Sequence, residues 1–322
     1  MIRFIALILF LLPIKIMAQT CCSGGVPVSS NLGFQSSDKG GVQLSLSADF
    51  NILKTLKSGS RKLDDNDRLR STQSYILRGA YSISKRWTIE GFLPIVRQTR
   101  RITTSSGAFD REETSGVGDP VLLGIYNVIQ KAFVLRVGAG PQFPLGAYNK
   151  LGSRGLLLLE DLQPGSGAWD MIFLASAEYS LFSRPSSLLY LNAIMSQTGI
   201  NKNSRGGTQA YEFGNDVQVI AGYSDQLLIG NQILSPGVAL RYRYADRDEV
   251  NQIKLPGTGG SFVFARISNS IPFPQLKSSL AVNLEVPIWN KINETQLTPS
   301  FGINVSWYLK LESKKAYLSI IE

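Results

Sequence analysis

From Val42 onward the chain alternates apolar and polar residues with a period of two. Val42, Leu44, Leu46, Ala48 and Phe50 are interleaved with Gln43, Ser45, Ser47 and Asp49. Successive side chains of a strand point to opposite faces, so this segment carries one oily and one polar face. The same pattern recurs at Tyr75 to Ile83, Leu189 to Met195, Val217 to Tyr223, Val238 to Tyr244, Leu280 to Ile288 and Phe301 to Leu309. Less regular apolar runs fill the intervals: Trp87 to Val96, Asp119 to Ile129, Phe133 to Phe143, Trp169 to Leu181 and Phe262 to Ile271. Together they predict about twelve strands, an even number, and no helix. After residue 18 no apolar run is long enough to span a bilayer as a helix.

The connections sort by length. Ser84 to Arg86, Gln130 to Ala132, Phe182 to Pro185, Ser224 to Leu228 and Pro272 to Gln275 are short. Asn51 to Gln73, Arg97 to Gly118, Pro144 to Ala168, Gly199 to Ala210 and Asp246 to Gly260 are long and rich in Gly, Ser, Asn and charge. Long and short alternate along the chain, as in an outer-membrane barrel with short periplasmic turns and long external loops. Closure also satisfies the backbone, because an unpaired N–H or C=O in hydrocarbon costs several kcal/mol. The expected fold is therefore all-β: a closed antiparallel transmembrane β-barrel over 42–309, with a tail at 310–322.

Strand parity then assigns faces. Val238, Leu240, Tyr242 and Tyr244 point to lipid. Arg78, Glu90, Arg136, Glu178, Asp216, Arg241, Arg243, Arg266 and Glu285 point into the lumen as lining and transport candidates. Their mixed signs predict ion pairs across a small barrel. By the same parity a polar replacement of Arg241 is mild. Leu122, Tyr126, Leu174, Ile194, Phe262 and Phe264 are read as apolar interruptions of the inward faces.

The stretch SGVGDPVLLGIYNVI, Ser115 to Ile129, sets a carboxylate among glycines and a proline. It is no dinucleotide fingerprint, since the third glycine would fall at Val121 and no helix follows. It reads as the start of a strand at the outer rim, with Asp119 near water and Pro120 where a ladder donor is dispensable. GVGDPVLLGIYNVI, followed by GAGPQFPLGAYNK and PGSGAWDMIFLASAEYSL, resembles the outer-membrane barrels associated with meta-pathway phenol degradation, distant relatives of the hydrocarbon and fatty-acid channels. The matching rim positions are Gly116, Gly118 and Asp119, then Pro144 and Gly146, then Gly165, Gly167 and Asp170. The resemblance covers roughly Ile76 to Tyr223 and implies a small hydrophobic or aromatic solute as cargo. TPSFGINVSWYL resembles the C-terminal signal read by the barrel-assembly machinery, although the chain continues to Glu322.

Composition narrows the partners. The formal charge is +9, from 33 Lys and Arg against 24 Asp and Glu. The cations are scattered, with no aromatic-interleaved patch of the kind that tracks nucleic acid, so the expected partners are outer-membrane lipids and a solute. Met1 to Ala18 reads as a secretory signal peptide, which places the product in the outer membrane of a Gram-negative cell. There is no histidine, which removes Ser-His-Asp, Cys-His and His-zinc arrangements; neither enzymatic activity nor a cofactor is expected. Cys21 and Cys22, the two cysteines, lie in a 19–41 segment long enough to enter the lumen as a plug. Such a pair suits a strained disulfide, a lipid anchor or a soft metal. Two functions follow: a transporter or channel for small, hydrophobic or aromatic molecules, or a non-conducting barrel whose Cys pair binds a metal or a periplasmic partner.

Overall fold

The structure is a computed structural model that describes residues 39–65, 67–103 and 109–311. The expectations placed on 1–18, on Cys21 and Cys22, on most of 19–41 and on the tail after Leu311 lie outside the described residues. The barrel strands are β1 (Val42–Ser58), β2 (Arg68–Ser82), β3 (Trp87–Thr103), β4 (Val121–Gln130), β5 (Phe133–Gln142) and β6 (Asp170–Leu181). They continue as β7 (Arg184–Gln197), β8 (Asp216–Ser224), β9 (Gln232–Ala245), β10 (Gly260–Phe273), β11 (Ser278–Ile292) and β12 (Thr295–Leu311). Each pairs antiparallel with the next. β12 returns to β1 along its whole length, from Val42 opposite Leu311 to Ser58 opposite Thr295, and closes the barrel. All twelve predicted strands are present.

The two faces separate as the alternation requires. Leu46 is 59% exposed on the outside while Ser45, its neighbour, is 3% exposed on the inside. Leu77, Ile95, Val238, Leu240 and Ile267 belong to the same outward belt. In water such a belt would be untenable, since each side chain forgoes roughly 1.5–3 kcal/mol of burial; hydrocarbon removes the penalty. Aromatic residues edge it at both ends. Trp87 and Tyr126, with centroids 4.9 Å apart, stand at the short-turn end beside Tyr81, Tyr179, Tyr223 and Trp307. Phe50 and Tyr75, 6.3 Å apart, lie toward the other, where Trp169 packs on Phe143 at 5.1 Å.

Strand length also marks the membrane. β8 has 9 residues and β4 and β5 have 10 each, close to the roughly 9–11 that a tilted strand needs to cross. β1, β3 and β12 have 17 each and run on past the rim on the long-loop side. There the arm Phe109–Val117 pairs with Ile95 to Thr103 as a projecting hairpin. The long connections 198–215 and 246–259 are not plain loops. Ile200–Ser204, Gln209–Glu212, Glu249–Val250 and Ile253–Lys254 form a second, four-stranded sheet outside the barrel. Its strands of 2 to 5 residues are too short to show a period in sequence. Tyr211 is buried there and donates to Asp248 at 2.6 Å; burial and the Asp248 charge push its phenol pKa up. Glu212 sits opposite Glu249, and burial followed by that neighbour's charge raises its carboxyl.

Two local expectations are corrected. The turn expected at Ser224 to Leu228 is a longer hairpin, in which Leu227–Ile229 pairs with Gln232 to Leu234 around Gly230 and Asn231. Gly230 has φ of +60°, and the apolar run Leu227 to Ile229 carries no alternation that would have marked it as strand. Leu122 and Tyr126 point outward, not inward: Leu122 is 44% exposed, and Val121, Leu123 and Ile125 take the interior. An unbroken apolar run has no polar face from which to read parity.

Arg introduced at Leu191 or Leu240 is expected to destabilise the barrel by about 2–4 kcal/mol near the bilayer midplane, as read from urea-dependent folding into lipid vesicles. Tolerance of Arg at both positions would contradict the outward assignment of β7 and β9.

Candidate functional site in the barrel interior

Inside the barrel, the nine inward charges expected from parity all pair. Arg136 holds Glu178 through two hydrogen bonds of 2.7 and 3.2 Å. Arg243 donates to Asp216 at 2.5 Å, and Arg78 pairs with Glu90. Glu285 is shared by Arg241 and Arg266, with Nε contacts of 3.0 and 3.1 Å. These pairs do not cross the lumen as expected. Most join neighbouring strands, where directly or diagonally opposed side chains are already within reach. Arg241 reaches over β10, with its guanidinium 4.0 Å from the centroid of the Phe264 ring, and also donates to Gln218 at 3.1 Å. Replacing it is now expected to cost stability, because Gln218 would lose this donor and Glu285 would keep only Arg266 of its two arginines.

The rest of the interior is divided. On β11, β12 and β1 it is small and polar. Asn283 donates to Asn304 at 2.8 Å, Asn304 to Asp49 at 3.1 Å, and Ser306 to Ser47 at 2.8 Å. From β2 to β7 a buried apolar cluster lines the opposite side: Ile76, Phe92, Leu123, Ile172, Leu174 and Ile194 are among its members. Phe262 and Phe264, with Ala245 and Ile292, form a second cluster toward the outer end. Of the six apolar interruptions expected from sequence, Leu174, Ile194, Phe262 and Phe264 do lie inside.

Over the mouth on the long-loop side folds the connection 144–168. Gln98 on β3 donates to the Gln163 carbonyl at 3.2 Å, and Arg70 on β2 pairs with Asp161. Gln163 clamps the loop to itself, donating to the Lys150 and Leu158 carbonyls at 3.1 Å each. Leu158 and Leu162 are buried beneath it.

The rim motif holds this cap. Asp119 was expected near water but is 3% exposed, because the cap lies over it. Its Oδ1 accepts the Gly146 N–H at 2.8 Å, and its Oδ2 accepts the Ser166 N–H at 2.6 Å and the Ser166 hydroxyl at 2.9 Å. Burial pushes the Asp119 carboxyl pKa up, while the donated hydrogen bonds pull it down. Gly146 and Gly165 meet backbone to backbone: a Cβ on Gly165 would lie 2.6 Å from Gly146. Gly118 donates to the Pro94 carbonyl at 2.9 Å, and Gly116 lies against Pro164 and Lys150. Pro144 begins the cap, and Asp170 accepts the Gly199 N–H at 2.9 Å at its far end. The three separated motif segments thus come together as one knot. Ser166, Gln98 and Gln163 were not singled out from sequence, since a serine or glutamine in a polar loop carries no distinguishing pattern. Among the described residues no group of three His, Cys, Asp or Glu is placed to hold a metal.

Fold and interior together define a closed transmembrane β-barrel with a capped, half-apolar lumen. No protein-family model matches the chain, and no curated protein matches it. Among solved structures, an outer membrane channel from Pseudomonas putida F1 is similar over 87% of this chain and 99% of that one, with TM-score 0.66 and 16% identity. That likeness establishes a shared outer-membrane barrel fold. Looser matches are the transport unit of the autotransporter AIDA-I from Escherichia coli (TM-score 0.48, 11% identity, 88% of this chain and 94% of that one) and the Pseudomonas putida toluene transporter TodX (TM-score 0.44, 9% identity, 91% and 96%).

Asp119→Ala should loosen the cap, so that trypsin cleaves after Lys150 or Arg154 at least about tenfold faster, since one lost charge-assisted hydrogen bond is worth roughly 1.5–3 kcal/mol. Unchanged cleavage would show that the cap is held without Asp119. Arg241→Gln is expected to lower barrel stability by about 1.5–3 kcal/mol in urea titrations, against less than about 0.5 kcal/mol for an exposed polar exchange.

Proposed function

We propose that the protein is an outer-membrane transporter or channel that passes small hydrophobic molecules, aromatic ones included. The observation that carries this reading is the divided interior. A water-filled pore has no use for a contiguous apolar wall on β2 to β7, whereas a solute with an oily body and a weakly polar edge matches one side to each half. About twelve strands also enclose a lumen between the filled interior of an eight-stranded barrel and the aqueous channel of a porin. The fold shared with an outer membrane channel is consistent with transport, and the resemblance of the rim motif supports hydrophobic cargo. On this reading residues 1–18 are a leader removed on export, 19–41 is a plug, the short turns face the periplasm, and the barrel-assembly machinery inserts 42–309. The chain works without a cofactor and is not an enzyme.

Purified protein in liposomes should speed entry of a small hydrophobic dye over protein-free vesicles while conducting ions poorly. Deleting Gln19 to Lys39 should raise ion conductance, and Leu123→Asn with Leu174→Asn should slow dye entry. Vesicles as impermeable to the dye as protein-free ones, with the segment present and deleted, would overturn transport and leave the non-conducting, partner-binding barrel.

A further inference from the structure

The lumen is not the sole concavity of the barrel. Among the described residues a groove of about 1210 Å³ lies on the outer wall, lined mainly by outward side chains of β5 to β12, with the inward residues Glu178, Tyr190 and Arg266 also reaching its edge. Leu191, Leu240, Ile267 and Val286 stand around it, and Ala221 and Ala265 lie between them as its floor. Small outward residues set between large ones leave this groove in the lipid-facing wall. Inward positions beside the floor are Gly222 and Ala239, and a Cβ on Gly222 would sit 2.3 Å from the Tyr190 ring. With no side chain on Gly222, the Tyr190 ring lies directly against the backbone beneath the groove.

Hydrocarbon must fill this groove, because its lining offers almost no polar atom to hold water and it opens into the apolar belt. The mouth supplies the second observation. Phe133, Tyr179 and Tyr223 line the groove toward the short turns. Just beyond them, on two adjacent turns joined by the Ser180 N–H to Ala132 carbonyl bond, lie Lys131 and Arg184. Lys131 is exposed, and Arg184 is 54% exposed with Asp225 on one side at 2.7 Å. Phe182 between them is 96% exposed, placed to sit in a membrane interface.

We propose that this groove is a binding site for a phospholipid of the periplasmic leaflet, with acyl chain along Ala221 and Ala265 and phosphate at Lys131 and Arg184. The exposed part of the Arg184 guanidinium, which Asp225 holds from one side, and the Lys131 ammonium suit a phosphodiester. Lys131 and the exposed Arg184 call for an anion, which the apolar outward belt of a second barrel does not supply. The proposal rests on the short turns facing the periplasm, as in the reading above, but not on transport.

The test uses protein folded in nanodiscs containing phosphatidylglycerol, stripped stepwise in detergent and followed by native mass spectrometry. Wild type should keep a phospholipid that the double variant Ala221→Leu, Ala265→Leu loses at least about tenfold more readily. Both should remain folded and heat-modifiable, because the new side chains face lipid. Lys131→Gln with Arg184→Gln should weaken retention of phosphatidylglycerol while leaving the barrel intact, and dye uptake should persist in the filled variant. Equal lipid retention by wild type and filled variant would overturn the site. A wild-type dimer that the filled variant loses would assign the groove to a second copy instead. Labelling of Lys131→Cys from outside intact cells would overturn the orientation on which the site rests, and does so independently of any uptake result.

Discussion

A backbone amide or carbonyl without a partner has nowhere to go in hydrocarbon, and the pairing of β12 with β1 is what meets that constraint. Without it the sheet would expose two edges, β1 and β12, each with a row of open donors and acceptors. With it, every strand has two neighbours, and the outward belt of Leu, Ile, Val and aromatic side chains is an asset. The interior then becomes the one place where polar and charged side chains can be kept.

Those charges are arranged by the geometry of the ladder. Adjacent strands present side chains within hydrogen-bonding reach, so Arg136 finds Glu178, and Arg266 finds Glu285, along the wall. Charge is neutralised locally and the lumen is left to be shaped by other residues. One side, around Asn304 and Ser306, is filled with small hydrogen-bonded groups; the other, around Phe92 and Leu174, is oily. An interior of two characters follows from which strands carry apolar residues at inward positions.

The cap depends on a different device. A loop across a barrel mouth would be weakly held by its own contacts, and here a buried carboxylate anchors it alongside the Arg70–Asp161 pair and the Gln98 to Gln163 bond. Asp119 sits where the wall is interrupted between the arm ending at Val117 and β4, so it reaches the Gly146 and Ser166 amides. Gly146 and Gly165 permit the approach because neither carries a Cβ that would intrude. The same absence of a side chain, at Gly222, lets the Tyr190 ring lie against the backbone of the neighbouring strand.

Alternation of apolar and polar residues, repeated with turns between, determined the barrel by itself: strand number, antiparallel order and the inward set of charges follow from a period of two and the need to close. The glycines, prolines and aspartates of the rim were likewise visible as motifs. Which charge pairs with which was decided only in three dimensions, because diagonal neighbours depend on register, and register is set by bulges such as those near Leu53 and Phe264. The parity of Val121 to Ile125 was undecidable from a run with no polar member. The short strands beyond the barrel, the burial of Asp119 and the groove over Ala221 are likewise tertiary. Each depends on contacts between segments far apart in the chain, such as 119 with 166 or 190 with 222, for which local sequence holds no signal.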